Sequence, residues 1–171
     1  MIYQQSEPSN PKSTKFVAYA PSKIDSTKAK IIAIDTHNHS RMALVDLLLL
    51  DGYQVLEVEE NFHLLTEILT QQPDLILIDI TMREQDRLAL CKSLKQNEET
   101  NRIPIILITL ADDRKSRLNC LEFGADDLIA KPIDRVELSA KVKSALDRKR
   151  LNDGLDQTEQ VLFTIAKAIE G

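Results

Sequence analysis

From Ile31 onward the chain alternates short apolar runs with longer stretches in which apolar residues recur every three or four positions. Ile31-Ile32-Ala33-Ile34, Leu75-Ile76-Leu77-Ile78, Pro104-Ile105-Ile106-Leu107-Ile108-Thr109 and Asp127-Leu128-Ile129-Ala130 read as strands buried on both faces, because they show no alternation. Gln54-Val55-Leu56-Glu57-Val58 alternates and reads as a further strand. Between these runs the spacing becomes helical. Arg41 to Leu50 is stopped by Gly52, a natural C-cap. A helix capped by Asn61 runs through Leu65, Ile68 and Leu69 and ends before Pro73. Arg87 to Leu94 turns Leu88, Leu90, Cys91 and Leu94 inward. Asp112 caps a helix carrying Leu118, Leu121 and Phe123, closed by Gly124. Asp134 caps a last one through Val136, Leu138, Val142 and Leu146. Five strands alternating with five helices predict an α/β fold, a doubly wound parallel sheet with right-handed crossovers and helices on both faces.

The flanks break this pattern. Residues 1–29 are rich in Ser, Pro, Lys and Gln, and only Phe16-Val17-Ala18-Tyr19-Ala20 has strand-like apolarity, so a flexible N-terminal tail is expected there. Residues 30–148 form the α/β domain, and 149–171 a C-terminal helical arm or linker. In the arm, Leu155, Leu162, Ile165 and Ile169 fall near heptad spacing, with a break or kink expected at Gly154. Such a helix either folds back onto the domain or pairs two copies as a homodimer.

Composition narrows the function classes. A net charge of -5 disfavours general electrostatic binding to nucleic acid, so no nucleic-acid partner is expected. No apolar run is long enough for a bilayer, and the N-terminus lacks the basic start and apolar core of a signal peptide; a cytoplasmic protein without membrane contact is expected. Cys91 and Cys120 lie in predicted helices away from any metal-ligand spacing and read as reduced core residues. The chain has four glycines, too few for a Gly-rich phosphate-cradling loop, and no Ser or Cys on a strand-to-helix elbow, which argues against an independent metabolic enzyme.

The candidate chemistry lies at the C-terminal ends of the strands, where open α/β sheets gather their ligands. Asp35, Asp79, Thr109 and Lys131 close four of them. Asp79 alone could equally be a helix N-cap. Together, two carboxylates suit a hard divalent cation such as Mg²⁺, Lys131 can neutralise a phosphoryl oxygen, and Thr109 can donate a hydrogen bond to another. The chemistry implied is phosphoryl transfer to Asp79. His37 and His39 read as loop and cap residues and His63 as structural, with no third ligand to make a metal site.

The order of these pieces resembles the receiver domain of two-component response regulators. The resemblance rests on Ile31 to Asp35, Asp51-Gly52-Tyr53-Gln54-Val55, Pro73 to Asp79, Ile103 to Thr109, and Phe123-Gly124-Ala125-Asp126-Asp127 followed by Lys131-Pro132. It implies a flavodoxin-like (βα)5 fold with strand order 2-1-3-4-5, counted from Ile31, here with an extended C-terminal helix. It implies that Asp79 accepts a phosphoryl group from a sensor histidine kinase or phosphotransfer protein. It further implies that Asp35, Asp79 and the Thr81 backbone carbonyl hold Mg²⁺, that Lys131 and Thr109 contact the phosphate, and that the Lys131-Pro132 peptide is cis. Catalysis would be confined to the domain's own phosphorylation and dephosphorylation.

Several positions depart from the family. Thr36 replaces the second acid after the first strand, which weakens Mg²⁺ binding because a neutral hydroxyl is a poor ligand for a hard cation. Arg83 and Arg87 occupy a loop that usually holds Pro and Gly. Leu110 replaces a small residue and is expected to crowd the site, and Leu128 replaces the aromatic switch. These departures keep open a pseudo-receiver, a phosphorylation-independent protein-interaction module. Thr158 to Glu170 resembles the linker helix that leads into HD-GYP output domains.

Overall fold

The computed structural model describes residues 16–19, 28–34, 38–58, 64–79, 82–110 and 114–170. In chain order the strands are β1 (Phe16–Tyr19), β2 (Lys30–Ile34), β3 (Gln54–Val58), β4 (Leu75–Asp79), β5 (Ile105–Leu110) and β6 (Asp127–Lys131). The helices are α1 (Asn38–Leu50), α2 (Leu64–Gln71), α3 (Glu84–Gln96), α4 (Arg114–Glu122) and α5 (Arg135–Glu170). One sheet runs β1-β3-β2-β4-β5-β6. Its five strands β2 to β6 are parallel and, counted from β2, stand in the order 2-1-3-4-5.

Successive residues of each strand feed opposite faces, because side chains alternate across a sheet. Ile31, Ala33, Leu75, Leu77, Ile106, Ile108 and Ile129 pack with Leu44, Leu48, Val142 and Leu146 of α1 and α5. Ile32, Ile34, Ile76, Ile78, Leu107 and Leu128 pack with Ile68, Leu90, Cys91 and Leu94 of α2 and α3. A sheet covered on both faces needs apolar residues at every strand position, and the unbroken runs satisfy that.

The Gly124-Ala125-Asp126-Asp127 stretch has a clear local job. Gly124 ends α4 at φ +103, and a Cβ there would meet Lys95 Cγ at 2.8 Å. Asp126 accepts the Ile105 amide at 2.8 Å and the Lys95 ammonium at 2.9 Å, which ties the start of β5 to α3. Asp134 caps α5 as expected, accepting the Glu137 amide at 2.9 Å.

Two local differences from the sequence reading, the strand at Phe16–Tyr19 and the unbroken course of α5, have physical causes. Phe16–Tyr19, inside the stretch read as a tail, is a strand antiparallel to β3, with Phe16 opposite Val58 and Tyr19 opposite Val55. It supplies hydrogen-bond partners to an edge that would otherwise lack them. α5 runs unbroken through Gly154, whose missing side chain has nothing within 4 Å to pack on. Leu118, Leu121 and Phe123 are exposed, as is Val136. Arg87, in the first turns of α3, is buried. The Asn61 and Asp112 caps lie outside the described residues.

Candidate functional site at the C-terminal rim of the sheet

Asp79 is the last residue of β4 and Lys131 the last of β6, with β5 between them. The register sets Asp79 opposite Ile108 and Leu110 opposite Lys131, so both charged residues reach the same rim. Alternation puts Asp79 and Lys131 on the face shared with Leu77 and Ile129, the side of α1 and α5. Asp79 is only 2% exposed. The Lys131 ammonium donates to its Oδ1 at 3.0 Å and lies 2.9 Å from Oδ2. A carboxylate this deep is tolerable because a cation neutralises it.

Thr109 belongs to the opposite face of β5, beside Leu107, and is 1% exposed. Its Oγ1 is buried and has no hydrogen-bond partner among the described residues. An orphaned buried hydroxyl costs stability, so Thr109 is an unusual residue to find at this rim. The Met82 amide donates to the Asp79 carbonyl at 3.2 Å. Met82 is buried there, while Arg83 points outward and pairs with Asp86 at 3.1 Å.

Leu110 lies on the face of Asp79 and Lys131, turned away from Thr109. Consecutive strand residues face opposite sides, and Leu110 is 56% exposed beside Lys131. Leu128 is buried among the core residues under α3, and the Lys141 ammonium donates to its carbonyl. The Lys131-Pro132 peptide is cis.

The structure thus pairs Asp79 with Lys131 and sets Thr109 at the same rim, next along β5 from Ile108, the register partner of Asp79. Asp35, Thr36, His37, Thr81 and His63 lie outside the described residues, and His39 falls in the first turn of α1. Among the described residues no group of three or more His, Cys, Asp or Glu could hold a metal. The Asp79 carboxylate is the type of hard oxygen donor that Mg²⁺ takes, and the unpartnered Thr109 hydroxyl fits a phosphoryl oxygen, so the described part of the site suits both groups.

Residues 31–143 match the family model for the response regulator receiver domain. The chain belongs to this family. Receiver domains are signalling modules of two-component systems rather than metabolic enzymes. The response regulator PleD of Caulobacter vibrioides is 35% identical over 131 residues, which cover 77% of this chain and 29% of PleD. The chain therefore spans under a third of that relative's length. A response regulator from Chloroflexus aurantiacus superposes with a TM-score of 0.67 at 27% identity, covering 71% of this chain and 99% of that structure. The receiver domain of the sensor histidine kinase PA1611 from Pseudomonas aeruginosa superposes with a TM-score of 0.64 at 25% identity, covering 71% and 99%. That domain carries a magnesium ion coordinated in its active-site cleft. No helix among the described residues of this receiver is long and apolar enough to cross a membrane.

Proposed function

We propose that this receiver accepts a phosphoryl group on Asp79 from the phosphohistidine of a sensor kinase or a phosphotransfer protein, acting in the cytoplasm. The observation that carries the reading is the buried Asp79–Lys131 pair, at a sheet rim that also holds the unpartnered Thr109 hydroxyl. In the transfer, an Asp79 carboxylate oxygen bonds to phosphorus as the phosphorus–nitrogen bond breaks, and the electron pair returns to the leaving imidazole. Lys131 then moves its charge from the carboxylate to a phosphoryl oxygen, and Thr109 donates to another. Asp79, Asp35 and the Thr81 carbonyl would hold Mg²⁺, which supplies charge neutralisation when bound. Thr36, in place of a second acid, weakens that binding. Beyond phosphoryl transfer to itself and its hydrolysis, no enzymatic role is assigned. The arm, whose Thr158–Glu170 stretch resembles linker helices ahead of HD-GYP domains, carries the output and pairs two copies of the chain.

A second reading, a pseudo-receiver that binds partners without phosphorylation, draws on Leu128, a buried aliphatic where the family places its aromatic switch. The two separate in one experiment. The protein is incubated with Mg²⁺ and acetyl phosphate, or with a phosphorylated histidine phosphotransfer protein, and its intact mass is taken beside Asp79→Asn. A phosphoryl adduct only in the wild type is the expected result. An adduct absent with both donors but present in Thr36→Asp would mean that the acceptor is competent and the natural metal site is not. No adduct in either protein would favour the pseudo-receiver.

A further inference from the structure

The last five turns of α5 pose a problem that the receiver fold does not solve. Leu151, Leu155, Leu162, Ile165 and Ile169 are between 51% and 80% exposed. They are not scattered. With Leu155, Leu162 and Ile169 at heptad position a, the d positions are Leu151, Thr158 and Ile165, one continuous stripe. Thr158 spends its hydroxyl within the helix, donating to the Gly154 carbonyl at 3.0 Å, and so leaves its methyl for the stripe. Val161, Ala166 and Ala168 widen the stripe at g and e in the last turns. Phe163 lies outside it, with the Lys167 ammonium 4.9 Å from its ring centre.

The receiver itself grips only the start of this segment. Lys149 bridges to Asp153 at 2.7 Å and stands 4.0 Å from Asp74, and Arg102 pairs with Asp156. Arg102 and Asp156 border one cavity with Leu155, which is still 64% exposed, while Lys149 and Asp153 stand at the outer heptad positions b and f. The arm is therefore tethered at its start, and from Thr158 to Ile169 the stripe is exposed at Leu162, Ile165 and Ile169.

We infer that the arm pairs in parallel and in register with the arm of a second copy. This rests on the self-association proposed above and fixes its geometry. Two arms meeting along the stripe would remove on the order of 1,000 Å² from water, near the lower limit for a specific interface. Charge decides the direction. Antiparallel pairing that stacks a on d sets 155 opposite 165 and brings the e positions together, placing Glu159 against Glu159 of the other copy at the centre of the seam. The attraction it gains, Arg150 towards Glu170, lies on the solvent side where exposed pairs contribute little. In the parallel arrangement Glu159 faces Gly154 of the other copy and Val161 faces Ala166, so no like charges meet along the e and g flanks.

The test uses the full chain. Sedimentation across a concentration series is combined with mild oxidation of Leu155→Cys in a Cys120→Ser background. The same background without the new thiol is the control for the buried Cys91. We expect a dimer that dissociates at least tenfold more readily in Leu162→Glu, and a self-disulfide through Leu155→Cys. A dimer in which Leu155→Cys alone does not link, but the double variant Leu155→Cys/Ile165→Cys does, is antiparallel. That outcome would overturn the inference and leave self-association standing. A dimer indifferent to Leu162→Glu uses another face and also overturns it, as does a trimer or tetramer. A monomer at every concentration removes both the inference and the reading beneath it.

Discussion

At the C-terminal rim of the sheet polar side chains are buried, and along the second half of α5 apolar side chains are exposed. Both regions break the ordinary sorting of residues, in opposite directions. At the rim the violation is made of single residues, Asp79 and Thr109 with a partly covered Lys131, and an ion pair compensates the charge of Asp79. In the arm it is extended and uncompensated, running from Leu151 to Ile169. The difference separates two kinds of function. A buried polar cluster is arranged to meet a small charged group, whereas an exposed apolar stripe is arranged to meet a surface of its own shape.

The largest effect should come from undoing the compensation at the rim. Lys131→Met leaves the Asp79 carboxylate buried without its cation and should cost about 3 kcal/mol in urea unfolding. Adding Asp79→Asn to Lys131→Met should recover most of that loss, since no charge then remains to solvate. A single variant as stable as the wild type would mean that Asp79 is balanced elsewhere.

Next in size is a contrast inside one helix. Leu146 is buried against α1 and the sheet, so Leu146→Ala should destabilise the receiver by about 2 to 4 kcal/mol. Leu162→Ala, with the same chemistry sixteen residues later, should leave the unfolding of the dilute monomer within about 0.5 kcal/mol of wild type. If both variants lose comparable stability, the arm is packed on its own domain and the comparison fails.

How much of this was legible in the sequence follows from where the deciding interactions lie. The parallel strands, and Asp79, Thr109 and Lys131 at their ends, could be read because unbroken apolar runs and a terminal polar residue are local signals. β1 was hidden because four residues carry little pattern, and its partner edge at β3 lies about forty positions away. Arg87, read with Arg83 as a loop residue, lies inside α3 and is buried, and a charged side chain carries no local signal of that. The unbroken course of α5 was hidden because a single Gly weakens a helix by only about 1 kcal/mol, which a long cooperative helix absorbs. Leu110 stands 56% exposed on the face of Asp79 and Lys131 while its neighbour Thr109 faces the other way, a division that strand alternation alone makes readable.

A smaller effect, of unusual sign, is expected at Thr109. Thr109→Val keeps the shape and removes a buried hydroxyl that has no partner among the described residues. The unphosphorylated receiver should gain about 1 kcal/mol. Any phosphorylation-dependent change should shrink at the same time, measured as the shift in backbone amide NMR signals of β6 on treatment with phosphodonor. A destabilised variant would reveal a partner for the hydroxyl and place Thr109 in the structural network instead.

The smallest effect lies on the boundary between the two regions, and it discriminates well because it is small. Arg102 and Asp156 are both partly exposed, so Arg102→Ala should change global stability by no more than about 0.5 kcal/mol. Its consequence should be local. With the Lys149–Asp74 contact left in place, amide exchange around Asn152 to Asp156 should quicken while the protection of Leu138 to Leu146 stays unchanged. About 1 M salt should reproduce the change in the wild type, because screening weakens exposed pairs far more than buried packing. If exchange quickens along the whole of α5 instead, its buried and exposed halves form one cooperative unit, and a signal at the rim has a continuous element through which to reach the arm.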